Sequence, residues 1–313
     1  MIIIPRDSKK LRLPKGIVTA LITPVKNERV YVETLERLVD FHLRNDISGF
    51  FILGTYGEGL SLHPNLRKIF AEKVVEYVGS KVPVINCVSS TSIDISLELT
   101  KHSVDIGIEH IALLPPFYYR GGLQELLRYY KAFERFELDV IIYNYPMRTG
   151  IDVTPTIFKA ISANVNNLVG IKDSTASIER LLELTEELSH EYYVAIAGDI
   201  MILEAFLYNA DSHICGICNA IPELSRLLLS SLAKKDISRA IRCKRHIWRL
   251  RKLAKDLNVE GVSLTKALLK LRGLDVGDPL PPNRNLDEKE LLKVKEALDL
   301  IMNDIASDIQ IDH

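Results

Sequence analysis

The sequence has little cysteine and no excess of charge of either sign. Its four cysteines among 313 residues, Cys87, Cys215, Cys218 and Cys243, are too few and too dispersed for a secreted disulfide framework, so we expect reduced thiols. Forty basic residues stand against forty-one acidic ones, which gives a net charge of −1. Because the chain lacks the positive charge that attracts a phosphate backbone, we expect no nucleic-acid partner.

Long apolar runs and clustered histidines are absent as well. No segment approaches the roughly 18 consecutive apolar residues that cross a bilayer, and the apolar residues 1–4 are followed at once by Pro5, Arg6 and Asp7. We therefore expect a cytoplasmic protein without a membrane partner. The eight histidines show neither an H-x-H nor an H-E-x-x-H spacing, so the sequence implies no metal.

Short apolar segments alternate with longer segments of helical periodicity, a pattern typical of a parallel sheet built from βα units. The segments that read as strands are residues 16–21, 49–53, 82–87, 110–114, 139–143, 168–172, 193–197 and 213–217. Eight consecutive units favour a closed (β/α)8 TIM barrel over a doubly wound open sheet, which usually has about five to seven strands. The predicted fold class is α/β.

Helical segments continue beyond the eighth unit. Residues 221–233 would supply the last barrel helix, and three more segments follow at residues 238–257, 261–271 and 287–305. They exceed what a barrel needs. We therefore predict an N-terminal arm at residues 1–14, a catalytic barrel at residues 15–235 and a small C-terminal helical domain at residues 236–313.

Active sites of such barrels form where the strands end, at the C-terminal face. The second strand runs into a glycine-rich segment, Gly54-Thr55-Tyr56-Gly57-Glu58-Gly59. Its glycines would let backbone N–H groups approach an anionic ligand. A tight connection between strand and helix explains the same pattern equally well.

The fifth strand ends at Tyr143, and Arg148 follows five residues later. A phenol and a guanidinium there could supply a proton-transfer group and a bidentate carboxylate ligand to one cavity. The alternative is a buried tyrosine beside a surface arginine, and composition alone slightly favours it.

The sixth strand is an apolar run that ends at Lys172. Desolvation at the barrel mouth lowers the pKa of a lysine, and a neutral amine can attack a carbonyl to form a Schiff base. The alternative is a structural pair with Asp173. We favour the functional interpretation because burying a lysine for structure alone is costly.

Cys215 and Cys218 have the spacing of a redox pair or of half a zinc site. Successive residues of a strand point to opposite faces, and no second pair of ligands completes a tetrahedral site. We therefore interpret both cysteines as packing residues of the eighth strand.

Taken in order on strands two, five and six, three motifs resemble those of the dihydrodipicolinate synthase and N-acetylneuraminate lyase family. They are Gly54-Thr55-Tyr56-Gly57-Glu58, Tyr143-Asn144-x-Pro146-x-Arg148-Thr149-Gly150 and Gly170-Ile171-Lys172-Asp173. The resemblance covers roughly residues 15–300. It implies a lyase of the class I aldolase type that uses pyruvate and needs no cofactor.

The resemblance also implies a role for individual residues. Lys172 would form the imine with pyruvate, and Tyr143 and Thr55 would relay protons. Tyr118 would complete the relay by reaching into a neighbouring subunit, which implies a homo-oligomer, a dimer or a tetramer. Gly198 and Ile214 match backbone positions that line the pocket.

The sequence departs from the family at Tyr56, where the usual motif has a second threonine, and this residue bears on the choice of substrate. Arg148 resembles the synthase branch, in which that arginine binds the carboxylate of aspartate semialdehyde. Two other segments, Phe117-Tyr118-Tyr119 and Tyr143-Asn144-Tyr145-Pro146, resemble sugar-acid lyases and archaeal 2-keto-3-deoxygluconate aldolases instead. The expected reaction is condensation of pyruvate with aspartate semialdehyde, and the alternative is 2-keto-3-deoxygluconate aldolase.

Two other classes of function compete with an aldolase. A barrel that has lost catalysis could serve as a regulator, but Lys172, Tyr143, Thr55 and Tyr118 are all present. A phosphosugar enzyme would need glycine-rich phosphate loops after strands seven and eight, where only single glycines occur, at Gly198 and Gly216.

Overall fold

The computed structural model describes residues 12–311, and eight parallel strands within them close into a barrel. We number the barrel strands β1 to β8; they are Gly16–Ala20, Gly49–Ile52, Val84–Cys87, His110–Leu113, Asp139–Asn144, Leu168–Asp173, Tyr193–Ala197 and Ser212–Cys215. Each strand pairs with the next in the chain, and β8 pairs with β1. The predicted (β/α)8 barrel is confirmed.

Helices α1 to α12 cover the barrel and extend beyond it. They are Val32–Leu43, Pro64–Val78, Ile93–Asp105, Leu123–Lys131, Pro146–Thr149, Pro155–Ser162, Ile178–Leu188, Ile202–Leu207, Pro222–Ala233, Ile237–Asp256, Gly261–Leu271 and Glu288–Ile311. A small hairpin of Val25–Lys26 and Arg29–Val30 precedes α1. Among the described residues, no helix is both long enough and apolar enough to span a bilayer.

Polar caps fix where several helices begin. Thr154, Ser177 and Asp236 each accept a hydrogen bond from the backbone N–H three residues later, at 3.3, 3.2 and 2.9 Å. Such caps satisfy N–H groups that have no partner within the helix. They also fix the ends of the segments that precede α6, α7 and α10.

The strands are buried on both faces, as parallel strands under a layer of helices must be. Side chains of the barrel interior include Val18, Phe51, Ile85 and Tyr193. All six residues of β6 are buried, including the charged pair that ends it. A lysine and an aspartate in this position stand out from the apolar pattern, and both lie at the C-terminal end of the strand.

The C-terminal helices α10, α11 and α12 share a core with the barrel. One cluster of buried side chains runs from Ile17 and Phe50 in the strands to Leu264 and Ile301 in these helices. The boundary that we propose between residues 235 and 236 falls between α9 and α10. The proposed arm, residues 1–14, lies outside the described residues except for its last three.

The eighth strand is shorter than predicted, which corrects the interpretation of its cysteines. The strand ends at Cys215, and Ile217–Asn219 form a turn of 3₁₀ helix. Cys218 therefore lies beyond the strand, where alternation of faces does not apply, and the two sulfurs form a disulfide. The expectation of reduced thiols with a packing role is wrong for this pair, whereas Cys87 and Cys243 are buried and take no part in a disulfide.

Candidate active site

Lys172 lies at the end of β6 among aromatic rings. Its Nζ atom is 3.5 Å from the ring centroid of Tyr143 and 4.0 Å from that of Phe51, and the residue is 4% exposed. Burial lowers the pKa of Lys172 from 10.5 to about 7, because desolvation disfavours the ammonium form. Near neutral pH, much of this amine carries no charge.

Asp173, which the alternative interpretation paired with Lys172, makes other contacts. Its carboxylate accepts hydrogen bonds from Asn144 Nδ2 at 2.8 Å and from the Thr175 N–H at 2.9 Å. Asn144 and Asp173 are neighbours across the β5–β6 ladder, as are Tyr143 and Lys172. Because side chains alternate between the two faces of a strand, Tyr143 and Lys172 share the interior face, whereas Asn144 and Asp173 form a polar pair that fixes the strand ends. No ion pair of Lys172 occurs among the described residues.

Tyr143 and Thr55 face each other across the barrel mouth. Their hydroxyl oxygens are 2.9 Å apart, within hydrogen-bond distance, although the two residues come from β5 and from the loop after β2. Burial raises the pKa of Tyr143 above 10.0, and the contact with Thr55 opposes this shift. The phenol therefore stays protonated at neutral pH and can donate a proton close to the Lys172 amine.

The glycine-rich loop, residues 54–59, folds back on itself. The N–H of Glu58 donates to the Thr55 carbonyl at 3.1 Å, and the N–H of Gly59 donates to the Gly54 carbonyl at 3.2 Å. The N–H groups of Thr55 and Tyr56 make no hydrogen bond to any residue that the structure describes. Two donors beside the Tyr143–Thr55 pair are therefore available to an anion.

A family model for the dihydrodipicolinate synthetase family matches residues 13–301. The chain belongs to this family. The 4-hydroxy-tetrahydrodipicolinate synthase of Thermotoga neapolitana is 31% identical over 287 residues, which are 89% of this chain and 96% of that enzyme. The resemblance inferred from the three motifs is confirmed, and with it the class I aldolase type of enzyme.

A second relative has the name of an aldolase and not of a synthase. The candidate 2-dehydro-3-deoxy-D-gluconate aldolase YagE of Escherichia coli K12 is 27% identical over 293 residues, covering 90% of this chain and 97% of that protein. The crystal structure of YagE in complex with pyruvate superposes with a TM-score of 0.85 over 92% of this chain and 98% of that one. Because the structural alignment has 24% identity, it shows the fold alone.

The residue that departs from the family motif, Tyr56, extends towards the C-terminal helices. Its hydroxyl donates to Asp199 Oδ2 at 3.0 Å and accepts from Arg251 Nη1 at 2.9 Å. The ring packs so closely over Gly216 that no Cβ would fit there. Burial, followed by the Asp199 carboxylate, raises the pKa of Tyr56. This hydroxyl is thus held away from its own backbone.

Arg148 lies on the short helix α5 and contacts the C-terminal helices. Its Nη2 donates to Glu260 Oε1 at 2.7 Å, and both side chains are about half-exposed. The hydrogen bond to Glu260 raises the pKa of the guanidinium. The structure therefore gives Arg148 a carboxylate partner from this chain, which a substrate carboxylate would have to share or displace.

Tyr118 makes no hydrogen bond or ring contact with Tyr143 or Thr55 among the described residues. It adopts a left-handed backbone conformation, with φ of 76°, and is 82% exposed. The adjacent Tyr119 is 80% exposed, and the two rings make an edge contact. Neither hydroxyl has a hydrogen-bond partner in the described part of the chain.

The last two predicted residues lie at the ends of β7 and β8. Gly198 has a φ of 93°, which favours glycine, and its carbonyl accepts a hydrogen bond from His213 Nε2 at 3.0 Å. Ile214 is buried within the barrel and is the ladder partner of Ala197.

Sequence reasoning did not identify Asp199, although it directly follows Gly198. Its Oδ1 accepts hydrogen bonds from the N–H groups of Gly216 and Ile217, at 2.7 and 3.1 Å. These donors lie inside the loop that the Cys215–Cys218 disulfide closes. The disulfide is therefore linked through Asp199 to the Tyr56 hydroxyl.

Proposed function

We propose that this chain is a pyruvate-dependent lyase in which Lys172 forms an imine with the substrate. The observation that carries the proposal is a buried lysine with a pKa of about 7, packed against the ring of a tyrosine that contacts a threonine hydroxyl. A neutral amine is the nucleophile that imine formation needs. The relatives with synthase and aldolase names support the same chemistry.

In the proposed reaction, the Lys172 amine attacks the carbonyl carbon of pyruvate, and the resulting carbinolamine loses water to give a cationic imine. The imine is an electron sink, so the methyl group loses a proton and an enamine forms. The enamine adds through this carbon to the aldehyde, and hydrolysis then frees the lysine. Tyr143 donates and recovers protons, with Thr55 as its partner.

Pyruvate also carries a carboxylate. The free N–H groups of Thr55 and Tyr56 are suited to hold it, because backbone donors bind an anion without adding a counter-charge. The YagE structure, which contains pyruvate, supports a pyruvate site on this fold.

For the acceptor we propose aspartate semialdehyde, the aldehyde to which the enamine carbon would add in the reaction of a 4-hydroxy-tetrahydrodipicolinate synthase. The name of the Thermotoga neapolitana relative and the guanidinium of Arg148 support this choice. A sugar-acid aldolase is the second candidate. The partly exposed guanidinium of Arg251, beside Tyr56, favours it, since it keeps further N–H donors for a hydroxylated aldehyde.

We also propose a homo-oligomer, built as a dimer or tetramer, in which Tyr118 reaches the relay of a partner subunit. Two adjacent tyrosines that are more than three-quarters exposed support an interface at this position. Tyr118→Phe should then lower turnover without changing the oligomeric state. The cytoplasmic location stays a prediction.

Borohydride trapping tests the imine. Incubation with pyruvate and borohydride should add one reduced pyruvate to the chain, at Lys172, as intact mass and peptide mapping would show. Lys172→Ala should gain no adduct, and a variant that still gains it would disprove the mechanism. Assays of the wild-type enzyme with aspartate semialdehyde and with glyceraldehyde then distinguish the two acceptors.

A further inference from the structure

Glu58 belongs to the loop at residues 54–59, yet its carboxylate is buried against the C-terminal segment. The side chains of Glu58 and of Lys266, in α11, are each 2% exposed, and Lys266 Nζ lies 2.6 Å from Glu58 Oε2. The second carboxylate oxygen accepts a hydrogen bond from the Leu280 N–H at 2.6 Å. Lys266 also donates to the carbonyl of Asp278 at 2.8 Å. The ion pair therefore joins the loop to two parts of the C-terminal segment.

A buried ion pair is a costly way to join two elements. Both charges lose their hydration, and apolar residues of similar volume often give equal or greater stability. In some proteins, however, a buried charged group specifies one arrangement of the elements that it joins, and the short contacts of Glu58 with Lys266 and with the Leu280 N–H suit such a role. Exact placement of the loop accounts for the Glu58–Lys266 pair better than stability does.

The backbone of the loop transmits this placement to the candidate pyruvate site. Glu58 has a φ of 51°, in the left-handed region that a glutamate seldom adopts without support from its surroundings. Its N–H donates to the carbonyl of Thr55 at 3.1 Å. A shift of Glu58 therefore displaces Thr55, and with it the two free N–H groups.

We propose that Lys266 is a positioning residue for pyruvate: through Glu58 it holds the Thr55 and Tyr56 N–H groups where they bind the carboxylate. This inference rests on the proposed function and adds the C-terminal helix α11 to the pyruvate site. Arg251 of α10 supports it from the other side, since it donates to the Tyr56 hydroxyl of the same loop.

Pyruvate titrations of imine trapping test this role. Lys266→Met leaves the Glu58 carboxylate buried without its cation, and we expect the pyruvate concentration for half-maximal trapping to rise about 10-fold or more. The adduct at saturating pyruvate should still form on Lys172. The double variant Lys266→Met, Glu58→Gln removes both charges and keeps an acceptor for the Leu280 N–H, so its melting temperature should recover while its half-saturation stays raised, because the ion pair that places the loop is gone.

Lys244→Met is a matched control. Lys244 forms a partly buried ion pair with Glu204 that joins α10 to the barrel helix α8 without touching the loop. Its loss should lower the melting temperature while half-saturation stays within about twofold of the wild type.

Unchanged half-saturation in Lys266→Met, with a lowered melting temperature, would overturn the proposal and leave the pair a structural role alone. If that variant fails to fold, Glu58→Gln serves instead, because it keeps the hydrogen-bond acceptor and loses the charge. Wild-type half-saturation in Glu58→Gln would be equally decisive against the proposal. If the wild-type chain itself gains no adduct, the proposed function fails rather than the positioning role.

Discussion

The Nζ atom of Lys172 lies 3.5 Å from the ring centroid of Tyr143, and the two residues are ladder partners on adjacent strands. This register brings the proposed nucleophile and the proposed proton donor to one point of the barrel mouth. The ring excludes water from the amine, while the hydroxyl of the same ring contacts Thr55 at 2.9 Å. One side chain thus lowers the pKa of the lysine by burial and supplies the protonated group.

The rate of imine formation should follow the titration of Lys172. Because only the neutral amine attacks pyruvate, and its pKa is lowered to about 7, the rate should rise with pH through about 7 and then level off. Initial rates of adduct formation with cyanoborohydride, followed by intact mass, measure this. A rate that continues to rise tenfold per pH unit through pH 9 would indicate a lysine with an ordinary pKa near 10.5.

Tyr143→Phe keeps the ring beside Lys172 and removes the hydroxyl. Turnover should fall by about 10²-fold or more, the usual scale for the loss of a positioned acid–base group. The melting temperature should change little, because the ring still fills the barrel interior. Thr55→Val is the companion variant, since it removes the partner hydroxyl at similar volume. Wild-type turnover in Tyr143→Phe would reduce the tyrosine to a packing residue.

Strand positions and motifs could be predicted from the sequence because both depend on residues close together in the chain. The apolar run that ends at Lys172 predicted β6 and the position of the lysine at its end, and β6 extends only one residue further, to Asp173. Contacts between distant residues could not be predicted in this way. Glu58 and Lys266 lie more than 200 residues apart, and neither local periodicity nor composition indicates that they meet.

The contact between Cys215 and Cys218 could not be predicted either, although the two residues are close together in the chain. Only a strand three residues longer would have placed Cys215 and Cys218 on opposite faces, and the inference failed because strand ends are the least certain part of a sequence-based prediction. Gly216 follows the strand and begins the turn that brings the sulfurs together.

If Cys215 and Cys218 form a disulfide, the alkylated chain should differ in mass between samples prepared with and without reductant. The purified chain, alkylated without reductant under denaturing conditions, should take up label at Cys87 and Cys243 alone, and reduction should expose two further thiols. Cys218→Ser should lower the free energy of unfolding by about 2 kcal/mol, the entropic contribution expected for so short a loop. Four labelled cysteines without reductant would show that the pair is reduced.

The choice of acceptor depends on Arg148 and on its contact with Glu260. If the substrate is aspartate semialdehyde, Arg148→Ala should lower kcat/KM for it by roughly 10²-fold, because a substrate carboxylate loses its bidentate partner. Imine trapping with pyruvate should stay close to the wild type, since Lys172 and the Thr55 loop bind pyruvate and not the aldehyde.

Glu260→Gln is the matched control: it removes the competing carboxylate of this chain, so kcat/KM for the same aldehyde should hold or rise. A loss of equal size in both variants would mean that the ion pair only holds α5 against the C-terminal helices. Efficient turnover of glyceraldehyde by a wild-type enzyme that ignores aspartate semialdehyde would decide for the sugar-acid reaction, and Arg251 would then be the next residue to replace.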